Sequence, residues 1–169
     1  MTDDDTPMPG VVGAVSLRDV RSDDLDTFFE FFQDAESIVM AAFTPEDPSD
    51  RDAFDAHRDR ILAMETVTMR TVEHCSEVVG HVGSCSMDRE REVTYWIGQP
   101  HCGSGVATEA LRRVLDIDTT RPIHARVVKD NLASIRVLEK CGFVVTGSDE
   151  GFAHGRGEVV EEFVMTLAE

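Results

Sequence analysis

At 169 residues the chain is long enough for one domain with a real core and too short for two ordinary ones. Hydrophobic residues make up 41% and charged residues 29%, the balance of a folded chain and not of a disordered one, and no apolar run reaches the length of a membrane span. A net charge of −17, from 33 acidic against 16 basic residues, argues against nucleic acid or an anionic membrane as partner, since those need a basic face, and suits a cationic partner.

In chain order, residues 1–10, with three Asp, two Pro and one Gly, read as a flexible tail, and residues 11–169 as a single domain. Met1-Thr-Asp-Asp-Asp lacks the basic and apolar regions of a signal peptide, so a cytoplasmic location is expected. Val11 to Val20 reads as a first strand. Ser22-Asp23-Asp24 supplies helix-start chemistry, and Leu25, Phe28, Phe29 and Phe32 recur at helical spacing through Asp34. After a loop holding Pro45 and Pro48, Ser49 or Asp50 caps a second helix running to about Ala63. Thr66 to Val72 and Val78 to Met87 alternate, are rich in β-branched residues and form a hairpin.

Val93, Tyr95 and Ile97 then share one face of a further strand, with Glu92, Thr94 and Trp96 on the other. Past a glycine turn, Val106, Ala107, Ala110, Leu111, Val114 and Leu115 form the apolar stripe of a helix that packs on a sheet. Arg121-Pro122 marks a break, and Ile123 to Val128 is a strand. Asp130 or Asn131 caps the next helix, which closes with Lys140 in its last turn and Gly142 at the left-handed terminating position. Phe143 to Ser148 and Glu158 to Leu167 read as the last strands, separated by a mobile loop holding Gly151, Gly155 and Gly157.

The chemistry concentrates between Val93 and Ile117. A strand stops at Gly98 and a helix starts near Gly105, so Gly103 and Gly105 let the backbone come close to a ligand. The unpaired N–H groups of the helix's first turn favour an anion, above all phosphate. A P-loop needs Lys and Ser or Thr after its last glycine, but Val106 and Ala107 follow Gly105; the dinucleotide fingerprint needs Gly or Ala where Thr108 stands. The four cysteines (Cys75, Cys85, Cys102, Cys141) form no C-x-x-C pair and read as reduced thiols, and no metal site is expected.

Four segments in order carry a resemblance: Tyr95-Trp-Ile-Gly98, Cys102-Gly-Ser-Gly-Val-Ala-Thr-Glu-Ala-Leu111, Ala125-Arg-Val-Val-Lys-Asp-Asn131-Leu-Ala-Ser134 and Val137-Leu-Glu-Lys-Cys-Gly-Phe143. Together they resemble the GNAT superfamily of N-acetyltransferases, in particular the branch that acetylates ribosomal-protein N-termini. The resemblance is strong across residues 92–146. It implies an α/β fold with a mixed, mostly antiparallel, V-splayed sheet of about six or seven strands flanked by about four helices. It also implies acetyl-CoA as cosubstrate, held in the splay between the fourth and fifth strands, with its pyrophosphate on the N–H groups of Cys102, Gly103, Ser104, Gly105, Val106, Ala107 and Thr108. The thioester arm would pair with the backbone of Trp96, Ile97 and Gly98, where an N–H polarises the carbonyl.

Two departures from the family pattern stand out. Cys102 occupies a position usually held by Gln, Arg or an aromatic residue; it leaves the backbone donors in place, and a reactive Cys102 thiolate is the rival reading. The tyrosine that many members use to protonate the departing thiolate is replaced by Leu138, and the chain's one tyrosine is Tyr95. In the ribosomal-type branch a serine in the first turn of this helix is the proposed acid, which makes Ser134 the donor and Asn131 the contact to the cofactor arm. Both residues also suit a helix cap.

The incoming amine must lose a proton. Glu92 is placed with Ser134 in the catalytic set, His81 and Glu162 are further candidates, and solvent suffices for a weakly specific enzyme. Phe28, Phe29, Phe31 and Phe32 belong to the core or line the acceptor pocket, which the resemblance places within Phe32 to Asp59 and Glu150 to Gly157. The acceptor is expected to be a primary amine, either a small molecule or a protein N-terminus, and the protein a monomer or homodimer with no nucleic acid or membrane partner. The rivals are a non-catalytic acyl-CoA binder and a nucleotide-binding protein.

Overall fold

The computed structural model describes residues 13–169. The alternating segments form β1 (Val15–Asp19), β2 (Thr68–His74), β3 (Glu77–Met87), β4 (Glu90–Ile97), β5 (Ile123–Val128), β6 (Val144–Ala153) and β7 (Glu158–Leu167). The segments of helical period form α1 (Asp24–Phe31), α2 (Ala35–Ala41), α3 (Arg51–Leu62), α4 (Val106–Ile117) and α5 (Leu132–Lys140), with a 3-10 turn at Gln99–His101. All seven strands join one sheet in the order β1-β2-β3-β4-β5-β7-β6.

Every neighbouring pair is antiparallel except β4 and β5, which run parallel and pair only where Glu92 faces His124. Pairing stops there although β4 continues to Ile97 and β5 to Val128. The sheet is therefore split at its centre, and the split opens toward the chain segments that lead into α4 and α5.

The two faces of the sheet are covered by different helices. On one, Val106, Ala110, Leu111, Val114 and Leu115 of α4 close a core with Val72, Val82, Val93 and Ile97. Leu111 is fully buried there, which contributes about 1.5–3 kcal/mol relative to exposure. On the other, α1 sets Phe28 edge-on to His81 at 5.1 Å and Phe32 against Trp96 at 4.7 Å. Asp24 pins α1 to the sheet: Arg18 donates to both its oxygens at 2.7 Å, and the Thr71 hydroxyl donates at 2.7 Å. Burial alone would raise its pKa, but these donors and the Arg21 N–H outweigh it and hold the carboxyl at about 2.

The expected first helix through Asp34 is shorter, and a further helix that was not expected follows it. α1 stops at Phe31, and Asp34 starts α2, its carboxylate accepting from the Ser37 N–H at 3.1 Å. The described residues thus hold five α-helices against the expected four or so. β6 runs to Ala153 instead of ending near Ser148, so Gly151 lies in a strand opposite Val160. The remaining turn is anchored rather than free: the Gly155 N–H donates to the Ala42 carbonyl at 2.8 Å, and Arg156 grips Asp130 with two hydrogen bonds. The expected strand from Val11 appears as Val15–Asp19; the tail at residues 1–10, with Val11, lies outside the described residues.

Candidate active site

The glycine turn delivers α4 with its first N–H groups bare. Gly105, at φ 82 and ψ 3, holds the left-handed conformation and supplies no side-chain cap. The first bond of the helix is from the Glu109 N–H to the Gly105 carbonyl, so Val106, Ala107 and Thr108 have no intrahelical acceptor. Val106 and Thr108 bury their side chains, which leaves their backbone N–H groups as what they offer the site. Gly103 is also left-handed, at φ 79, and the Ser104 hydroxyl donates to the His101 carbonyl at 2.9 Å.

A groove lined by Gly105, Thr108, Glu109, Arg112 and Lys140 runs along the same end of α4. Arg113 pairs with Glu109 at 2.9 Å, so Arg112 and Lys140 set the sign of the groove. In a chain of net charge −17 this is a local reversal, and with the bare helix start it fits a polyanion.

The end of β4 forms the adjoining wall. The Gly98 N–H donates to the Val79 carbonyl at 2.8 Å, so it is committed to β3. Antiparallel pairing alternates, and Ile97, opposite Gly80, therefore turns its N–H and carbonyl away from β3 and toward the split. Glycine at 98 is required by packing, because a Cβ there would lie 2.6 Å from the Phe31 ring. Cys102 lies beside the Ile97 and Gly98 carbonyls at 3.6 Å, and burial pushes its thiol up, with the Asp34 charge adding to the effect. A raised thiol pKa disfavours the thiolate-nucleophile reading. Trp96 packs on Phe32, and its Nε1 is buried with no partner among the described residues.

The opposite wall begins at α5. Asn131 caps it, its Oδ1 accepting from the Ser134 N–H at 3.1 Å while its Nδ2 donates to the Met40 carbonyl at 3.4 Å. The Ser134 hydroxyl meets the Tyr95 hydroxyl at 2.6 Å, a contact across 39 residues of sequence that no local spacing announces. Burial pushes the Tyr95 phenol up to about 12, with the Ser134 hydrogen bond opposing. Leu138, in place of the family's tyrosine, is buried in the core.

The three candidate bases fall in two places. Arg126 draws the carboxylates together, donating to Glu162 at 2.7 Å, Asp149 at 3.1 Å and Glu92 at 3.4 Å. Glu92 lies at the closed end of the split beside His124, about 16 Å of strand from Ile97. Glu162 pairs with Val128 at the open end. His81 is buried against Phe28, its Nε2 3.1 Å from an Arg58 nitrogen, and burial plus the Arg58 charge lowers its pKa well below the ordinary value. A buried imidazole facing a guanidinium has no route to an incoming amine.

Among the described residues no cluster of three His, Cys, Asp or Glu side chains could hold a metal, and no helix is long and apolar enough to cross a membrane. Residues 15–144 match the family description "Acetyltransferase (GNAT) domain". An uncharacterised N-acetyltransferase p20 of Bacillus licheniformis is 27% identical, over 90% of this chain and 92% of its own length. The spermidine N-acetyltransferase of Vibrio cholerae, solved with CoA and spermine, superimposes with a TM-score of 0.78 at 20% identity, over 91% of this chain and 95% of that one. Mycobacterium smegmatis RimJ, solved with CoA-disulfide, gives 0.79 at 22% identity, over 93% and 83%.

Proposed function

The chain belongs to the GNAT acetyltransferase family, and from that premise we propose that it transfers the acetyl group of acetyl-CoA directly to a primary amine. The observation that carries the proposal is the split between β4 and β5, bordered by a bare helix start on one side and a hydroxyl pair on the other. The N–H groups from Gly103 to Thr108 receive the cofactor's pyrophosphate, the expected Cys102 N–H being committed to the Gln99 carbonyl at 3.1 Å, and Arg112 and Lys140 add charge for its adenosine-side phosphate. Bound acetyl-CoA supplies an activated thioester, which attack by the amine turns into a thiolate leaving group. The Ile97 N–H, turned into the split, is the donor for the carbonyl oxygen as negative charge builds on it. Asn131 holds the start of α5 in place, and Ser134 donates to the departing sulfur. Glu92 and Glu162, both held by Arg126, are the carboxylates placed to receive the amine's proton.

Support for a cationic acceptor comes from the acidic chain and from the Vibrio cholerae spermidine N-acetyltransferase, solved with spermine, whose fold it shares. The test is release of CoA thiol from acetyl-CoA by purified protein over a panel holding spermidine, spermine and short peptides with free N-termini. Turnover with one of these amines is the expected result. Tight acetyl-CoA binding with no turnover on any amine would instead favour a non-catalytic acyl-CoA binder.

A further inference from the structure

Tyr95 is the chain's one tyrosine, and it stands on the strand wall of the split rather than on α5. Its hydroxyl oxygen lies 2.6 Å from Ser134 Oγ and 3.3 Å from the Ser134 carbonyl oxygen. The strands that carry these two walls share no pairing beyond Glu92 and His124, so this contact ties β4 to the first turn of α5 across the unpaired region. A phenol is the more acidic of the two hydroxyls and the poorer acceptor, because its lone pairs delocalise into the ring. Tyr95 therefore donates and Ser134 Oγ accepts. With that lone pair taken, the single hydrogen of Ser134 is directed away from Tyr95.

We propose that Tyr95 is a positioning residue, holding Ser134 Oγ so that the serine hydrogen is presented to the leaving thiolate. The inference rests on the acetyl-transfer proposal above. When the C–S bond breaks, its electron pair leaves on sulfur, the Ser134 O–H donates a hydrogen bond to the thiolate so formed, and that thiolate takes its proton from solvent as products leave. Tyr95 keeps its own proton throughout. A phenol this buried resists ionisation, which suits a fixed donor better than a transferred one. The lost tyrosine position at Leu138 is thus answered from the other side of the split, by a residue that works through Ser134.

The test uses full-length wild type, Tyr95→Phe, Ser134→Ala and the double variant, with CoA as probe. The ionisation of bound CoA thiol is followed by ultraviolet thiolate absorbance against pH, after subtracting the protein alone. Tyr95→Phe keeps the ring, and matched unfolding temperatures check that it folds. The expected result is that CoA bound to Tyr95→Phe ionises roughly one pH unit higher than CoA bound to wild type, because a donor to a charged group has been misaligned. Ser134→Ala should show the same shift, and the double variant no further shift. In turnover assays Tyr95→Phe should lower kcat with KM for acetyl-CoA unchanged. Identical ionisation in wild type and Tyr95→Phe would overturn the proposal. So would a full Tyr95→Phe effect surviving in the Ser134→Ala background, since Tyr95 would then act on sulfur directly. Failure of wild type to bind CoA would instead sink the acetyl-transfer proposal itself.

Discussion

The two helices that border the split begin in opposite ways. α4 is entered through a left-handed glycine with no side-chain cap, and its first N–H groups point outward without partners. α5 is entered through Asn131, whose side chain already takes the Ser134 N–H. A helix start left bare is an anion site, whereas a capped one is a rigid mount for side chains. One wall is thus built to grip phosphate and the other to hold hydroxyl and amide groups in register.

The largest expected effect comes from filling the bare start. Gly105→Glu places a side chain and a negative charge where phosphate must approach, and acetyl-CoA binding should be lost, as read by calorimetry. Gly105→Ala separates strain from charge: it should cost roughly 1 kcal/mol of stability, from the left-handed φ, and retain measurable binding. On the capped wall, Ser134→Ala should lower kcat by about 100-fold with KM for acetyl-CoA unchanged, the scale of a lost hydrogen-bond donor to developing charge. An unchanged kcat would return Ser134 to the role of a cap residue. Removing both groove cations, Arg112→Gln with Lys140→Gln, should weaken acetyl-CoA about tenfold, and less at high salt, while leaving kcat near wild type. The smallest effect is expected at the cap. Asn131→Ala should destabilise the fold by about 1 kcal/mol, a fall of about 2–4 °C in Tm by scanning calorimetry, because the Ser134 N–H loses its acceptor.

The same contrast explains what could be read in advance. The bare start of α4 was legible because glycines at 103 and 105 punctuate a strongly periodic stretch, and both the apolar stripe and the turn chemistry are local signals. The Asn131 cap was legible for the same reason. α2 was missed because its seven residues bury no side chain fully and carry no stripe, although Asp34-Ala-Glu-Ser37 holds a cap signal in plain view. What joins the walls was not legible. Tyr95 with Ser134 spans 39 residues, and Arg126 reaches 34 residues back to Glu92 and 36 forward to Glu162. Such pairs depend on strand order and register, which a single sequence does not print. The order β4-β5-β7 is what lets Arg126, on the middle strand, bond both Glu92 and Glu162.

The central claim, that the bare start of α4 and the split beside it bind acetyl-CoA, is tested most directly by ligand-dependent unfolding of the wild-type chain. Acetyl-CoA at 100 times its dissociation constant should add about 2.7 kcal/mol to stability, while ATP and NAD at equal concentration add little. Greater stabilisation by ATP or NAD than by acetyl-CoA would contradict it.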